Sequence, residues 1–189
     1  LYTGGKEYRE AYAAAATLVS EGNTSDSDEC YDAYAGLRAA KEALVYNAAD
    51  PAKVYYIVSA ATNSNCSYCA GKYVHTLKEP NGGYNHKHLK FSDFKDIANK
   101  TLAAFQFEPT ATQGEYKMKN LHTGLYMKSY NKNVEHMGDF ANAATVKIIG
   151  YADGQIILKI GNDRPMHAQN DNKVIVRWGA EAGGASLWK

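Results

Sequence analysis

The sequence has no run of about 18 apolar residues, so no segment is expected to cross a membrane as a helix. It has almost no net charge, +1 at pH 7 over 189 residues. It lacks Gly-x-Ser-x-Gly, a phosphate-cradling glycine loop and His-Glu-x-x-His. Its 20 acidic residues form no isolated carboxylate pair on an apolar background. The chain therefore reads as non-catalytic, with no cofactor expected. The opening residues Leu1-Tyr2-Thr3-Gly4-Gly5 include neither an initiator Met nor an apolar signal segment. They are expected to begin a mature or excised piece of a longer protein, and say nothing about secretion.

What is present is an ordinary globular composition, 45% hydrophobic and 22% charged. Charge is unevenly placed. Residues 1–50 carry 4 Lys/Arg against 9 Asp/Glu, and residues 51–189 carry 17 against 11. Two segments of opposite sign are suited to docking, although scattered solvated charges give the same count. A dispersed excess of six positive charges over 139 residues is too weak to imply nucleic acid.

A short alternating pattern appears three times: Ala104-Phe105-Gln106-Phe107, Thr145-Val146-Lys147-Ile148 and Leu187-Trp188-Lys189. Phe105 to Val146 is 41 residues and Val146 to Trp188 is 42. A repeat of that length implies one supersecondary unit used three times.

Ahead of the repeat lie two helical stretches. Tyr8, Tyr12, Ala15 and Val19 recur on one face of a 3.6-residue period from residue 6 to about 20. Gly22-Asn23 marks the stop. Ser25, Asp26 and Ser27 offer caps for a second helix, with Asp28, Glu29 and Asp32 at its start. Cys30, Ala33, Tyr34, Leu37, Ala40 and Leu44 line one face of it, as far as about Tyr46. A short link makes the pair an antiparallel hairpin. Two helices alone bury little, so the hairpin is expected to pack on something else. Pro51 biases Asp50 out of helix and marks a boundary.

From Lys53 the period changes to about 2. Blocks open at Val54–Val58, Tyr116–Lys119 and Ile156–Lys159. Second strands are expected at Lys72–His75, Leu125–Lys128 and Pro165–Ala168. Third strands follow near Leu89–Phe91, Asn133–His136 and Val174–Trp178, and the repeated segment is the fourth. Asp153-Gly154 signals a tight hairpin. Tyr116 to Tyr126 and Ile156 to Met166 are both 10 residues, which sets Met166 opposite Tyr126 in the repeat. Block one carries an Asn/Ser-rich insert, Ala61–Ala70. Four strands in three blocks is the arithmetic of a β-trefoil, a closed barrel capped by three hairpins. The expected fold is mainly β, a β-trefoil of three four-stranded repeats with an N-terminal antiparallel α-helical hairpin. The hairpin occupies 1–50 and the trefoil 51–189, with repeats at about 53–108, 115–149 and 155–189.

Aromatic-x-apolar block openings and the closing x-Trp-x resemble the ricin-B-type lectin trefoils, including versions appended to bacterial glycan-degrading enzymes. Ala185-Ser186-Leu187-Trp188-Lys189 is similar to that family's Gln-x-Trp segment, with Leu187 near the Gln position, although Gln-x-Trp itself occurs in no block. The resemblance covers about residues 53–189. It implies a non-catalytic carbohydrate-binding module whose site combines an acidic residue, an aromatic platform and an amide side chain. The helical hairpin resembles small helical repeats between modules of secreted bacterial surface proteins and glycosidases. The implied location is secreted, periplasmic or cell surface. The partner is carbohydrate or, as the alternative, a neighbouring domain of a longer parent chain.

Candidate sugar contacts are loop residues. Block three offers His167, Gln169, Asn170, Asp171 and Trp178. Block two offers Tyr130, His136, Asp139 and Asn142. Asn/Asp clusters are also ordinary turns, and Trp178 reads equally as a platform or as a cap over the core. Tyr55, Tyr56, Tyr73, Tyr116 and Tyr126 sit at strand positions, where packing is the better reading. Cys66-Ser67-Tyr68-Cys69 with His86 and His88 has zinc spacing as a weaker alternative. The competing readings are a surface loop with a Cys66–Cys69 disulfide, or no special role.

Overall fold

A computed structural model of the chain describes residues 2–20, 27–46, 48–77, 88–130, 134–138, 140–151, 154–161, 164–170, 173–178 and 184–189. The chain divides into two compact units, Leu1–Ala48 and Ala49–Lys189.

In the first unit, α1 (Gly5–Ser20) and α2 (Ser27–Glu42) pack together, and a two-stranded ribbon joins their outer ends. The ribbon pairs β1 (Tyr2–Thr3) with β2 (Val45–Tyr46). The second helix therefore stops at Glu42, short of Tyr46, because the backbone beyond it bonds to the ribbon. Cys30, Ala33, Leu37, Ala40 and Leu44 are half-buried. On α1 the half-buried residues are Tyr8, Ala11, Ala15 and Leu18, so the face is rotated from the expected one. Tyr12, Val19 and Tyr34 lie outside at 59%, 76% and 62% exposure. Small alanines on the inner face, set between Tyr8, Leu18, Leu37 and Leu44, favour close helix approach.

The second unit is built on a ring of six strands. β3 (Tyr55–Tyr56) pairs with β6 (Ala104–Pro109), and β6 with β7 (Glu115–Asn120). β7 continues to β10 (Val146–Gly150), which makes a hairpin with β11 (Ile156–Ile160). Gly154 in that hairpin turn has φ +73°, a conformation L side chains rarely adopt. Trp188 closes the ring, bridging Ile156 on one side and Ser59 on the other. Reciprocal Val58 and Lys189 bonds of 2.9 Å complete the seam.

Each block also carries a hairpin of second and third strands. These are β4 (Tyr73–His75) with β5 (Lys90–Ser92), β8 (Tyr126–Tyr130) with β9 (Val134–Gly138), and β12 (Met166–Gln169) with β13 (Val174–Arg177). The third strands converge, with Val174 opposite Lys90 and Val176 opposite Val134. The core follows the threefold pattern. Phe105, Val146 and Trp188 are each 0% exposed, as are Met118 and Leu158, with Ile57 at 3%. Burying side chains of this size contributes about 1.5–3 kcal/mol each.

One detail of register differs from the sequence expectation. Val58 pairs with Tyr73, Lys119 with Tyr126 and Lys159 with Pro165. Pro165, not Met166, is therefore the equivalent of Tyr126, because the link between these strands is one residue shorter in block three. It follows that Val74, Met127 and Met166 are equivalent, and so are His75, Lys128 and His167.

Candidate functional site

The third block assembles a small cluster at one end of its hairpin. β12 and β13 run antiparallel, with His167 opposite Val176 and Gln169 opposite Val174. Met166, just before His167, is fixed to the barrel, since its carbonyl accepts the Trp188 indole N–H at 3.1 Å. The Trp178 amide donates to the Pro165 carbonyl at 3.2 Å and ties the end of β13 back across β12. Register thus places the Trp178 ring beside His167, with centroids 6.4 Å apart and planes at 36°. Trp178 is 55% exposed, so it is a surface aromatic and not a cap over the core.

His167 is half-buried, and burial holds its imidazole below the ordinary histidine pKa, so the ring is neutral at pH 7. Its Nδ1 shares a 2.8 Å hydrogen bond with Ser186 Oγ. Ser186 is buried in the one-turn helix Gly184–Ser186 that leads into Trp188. His167 Nε2 has no hydrogen-bond partner among the described residues. An exposed indole face stands beside a neutral ring nitrogen with spare capacity and a hydroxyl behind it. Such a set can stack the apolar face of a ring and hydrogen-bond hydroxyls on its edge.

Block one's insert lies against this cluster. Tyr68 donates its hydroxyl to the Ala168 carbonyl at 3.0 Å, and Lys173 Nζ stands 5.8 Å from the Tyr68 ring centre. Asn65, in α3 (Asn63–Cys66), packs on Gly184, where an added methyl would lie 2.7 Å from the Asn65 side chain. Sequence reasoning did not identify Ser186, Asn65 or Lys173. The contacts that bring them to the cluster, Ser186 with His167, Asn65 with Gly184 and Lys173 with Tyr68, join residues far apart in sequence, and no local pattern marks them.

Other expected contacts fall differently. Gln169 is half-buried on β12. Asn170 is exposed and serves the turn, its Oδ1 accepting from Lys173 Nζ at 2.5 Å and its carbonyl from the Lys173 amide at 3.3 Å. In block two, Tyr130 pairs with Val134, His136 pairs with Lys128, and exposed Asn142 ends a one-turn helix, Phe140–Asn142. Asp171, Asp139 and His86 lie outside the described residues.

The cysteine insert is not a surface loop. Cys66 is 6% exposed and Cys69 is 0%, and both belong to the main core. Their sulfurs are 2.6 Å apart. Among the described residues no three His, Cys, Asp or Glu side chains gather into a metal-holding group. Burial, with the hydrogen bond to Cys66, pushes the Cys69 thiol up to about 12.

A closed six-stranded ring with three equivalent hairpins defines a β-trefoil. Similar solved structures agree. The designed threefold-symmetric protein ThreeFoil matches over 72% of this chain and 96% of its own, with TM-score 0.53 and 11% identity. The Macrolepiota procera ricin B-like lectin in complex with lactose matches over 76% and 97%, with TM-score 0.55 and 10% identity. The Polyporus squamosus lectin, bound to the epitope Neu5Aca2-6Galb1-4GlcNAc, matches over 77% of this chain, with TM-score 0.52 and 16% identity. This chain covers 49% of that lectin. No protein-family model and no curated protein matches the sequence. The likeness is one of fold.

Proposed function

We propose that the trefoil is a non-catalytic carbohydrate-binding module of a secreted or surface bacterial protein, acting through the third block. The observation that carries this reading is the exposed Trp178 ring beside His167, whose Nδ1 is fixed by Ser186. The indole takes the apolar face of a pyranose. His167 Nε2 accepts from or donates to a ring hydroxyl, and Gln169 stands one β-period further along the strand. The site is shallow, so its affinity is weak and useful binding comes from several copies or from the neighbouring modules of a parent chain. The lectins with a similar fold support the class of ligand.

The test is a glycan-array screen of the whole chain, followed by titration read by tryptophan fluorescence. The expected result is a specific hit that shifts Trp emission and weakens about tenfold in Trp178→Ala, the loss of about 1.4 kcal/mol. A clean negative at saturating glycan would remove this reading.

A second reading has its own observation. On the hairpin unit, Tyr12, Val19, Tyr31 and Tyr34 are 59–76% exposed, an apolar load that suits packing against a neighbouring domain. Under that reading the chain is an interaction or spacer module.

A further inference from the structure

We propose that Cys66 and Cys69 are a disulfide-forming pair that braces the block-three site, so that ligand binding there depends on the thiol state of block one's insert. The inference rests on the binding site assigned above.

The geometry is a short path of contacts. The two sulfurs lie 2.6 Å apart in the core, so a shift of about half an ångström brings them to the ~2.05 Å of a disulfide. Tyr68 sits between the two cysteines in sequence. Its hydroxyl holds the Ala168 carbonyl at 3.0 Å, on the strand residue next to His167. Asn65, next to Cys66, accepts the Thr62 amide at 2.8 Å and packs on Gly184, in the turn that delivers Ser186 to His167. One segment therefore touches both pieces of backbone that orient the imidazole, β12 through Tyr68 and the Gly184–Ser186 turn through Asn65.

A cross-link across Cys66–Cys69 closes a four-residue loop and removes alternative conformations of Tyr68. Two thiols react with one external disulfide of the glutathione or protein-disulfide class. The first cysteine forms a mixed disulfide and releases one thiol. The second cysteine displaces the other, giving the internal disulfide and two reduced thiols in all. Both cysteines are buried, so the exchange takes place during folding or through local opening of α3. Pre-organising the brace tightens the site without adding a contact to the ligand.

The test uses the whole chain folded with oxidised glutathione or with a strong reductant. Mass spectrometry after denaturing alkylation is expected to find one modifiable thiol, Cys30, in the oxidised sample and three in the reduced one. NMR of the His167 imidazole, which needs no ligand, is expected to differ between the two forms. Affinity for the glycan found by array is expected to be about threefold tighter when oxidised, the scale of one hydrogen bond's net contribution. Tyr68→Phe leaves both thiols in place and is expected to abolish the oxidation-dependent His167 shift. Three modifiable thiols after oxidative folding would overturn the disulfide. A disulfide that leaves the His167 signals unchanged would overturn the brace. If no glycan binds in either form, the thiol count and NMR still decide this inference, and only the binding proposal fails.

Discussion

His75 in block one and His167 in block three occupy the same position of their hairpins, yet one is closed on itself and the other is open. His75 is buried, with Nδ1 2.9 Å from the Thr76 carbonyl and Nε2 3.0 Å from Ser92 Oγ. A carbonyl only accepts, so Nδ1 carries the proton and Nε2 of the neutral ring accepts from Ser92. Both nitrogens are used. In block three the place of Ser92 is taken by Trp178, which offers a ring face and no hydroxyl. His167 turns instead to Ser186, and Nε2 is left to solvent or ligand. Block two has Lys128 at this position. Three copies of one frame thus give one closed histidine, one lysine and one open histidine, and the two histidines differ in the residue diagonally across the hairpin, Ser92 or Trp178. Repetition built the barrel, and divergence left the open arrangement in a single block.

The largest effect comes from breaking the frame that both blocks share. Trp188→Ala is expected to cost about 3–5 kcal/mol in urea unfolding, because a fully buried indole and its bond to Met166 are both lost. Any sugar binding should go with it. The two histidines should then separate. His75→Ala is expected to cost about 1–3 kcal/mol, since Ser92 and the Thr76 carbonyl lose their buried partner, with sugar affinity intact. His167→Ala is expected to cost less than His75→Ala, about 1 kcal/mol, since it loses one hydrogen bond, to Ser186, where His75 loses two, and to weaken sugar binding about tenfold. Equal stability losses in the two variants would refute the asymmetry.

Acid should sharpen the same contrast. Burial lowers the folded-state pKa values of His75, His88 and His167, with the Lys90 charge a further cause at His75 and His88. Unfolded histidines titrate near 6.5, so between the two values the unfolded chain binds more protons. Stability is therefore full above about pH 6.5 and is lost as pH falls toward the folded values. Melting curves from pH 7.5 to 5 are expected to show Tm falling, and His75→Gln should flatten the slope more than His167→Gln. The smallest effect on stability is Trp178→Ala, expected to stay within about 0.5 kcal/mol of the parent because the ring is exposed. A larger loss would mean that Trp178 is packing the fold.

Much of the barrel could be read from sequence because its signals are local. Phe105, Val146 and Trp188 sit at regular intervals in alternating strands, and burial on one face of a strand writes itself into every second residue. Trp178 and His167 were legible as an aromatic and a polar residue around one polar turn. Long-range partners left no such trace. The β1–β2 ribbon that ends α2 at Glu42 pairs residues more than 40 positions apart. Ser186 is a serine in a turn until the barrel brings it to His167. The insert looked like surface because it is rich in Asn and Ser, yet Cys66 and Cys69 point its short helix into the core. The one-residue shortening of block three was invisible because Met166 suits a strand position as well as Tyr126 does.

The seam between Ser59 and Trp188 also has a consequence for how the molecule forms. Its two sides are 129 positions apart, so loop closure must be completed before their bonds form. Block hairpins form early from neighbouring residues, but the ring stays open, with Ile57 and Phe105 uncovered, until the segment around Trp188 has been synthesised. Folding is therefore expected to finish late and slowly for a domain of this size. The interval before closure is when the chain is most exposed to strand-edge association.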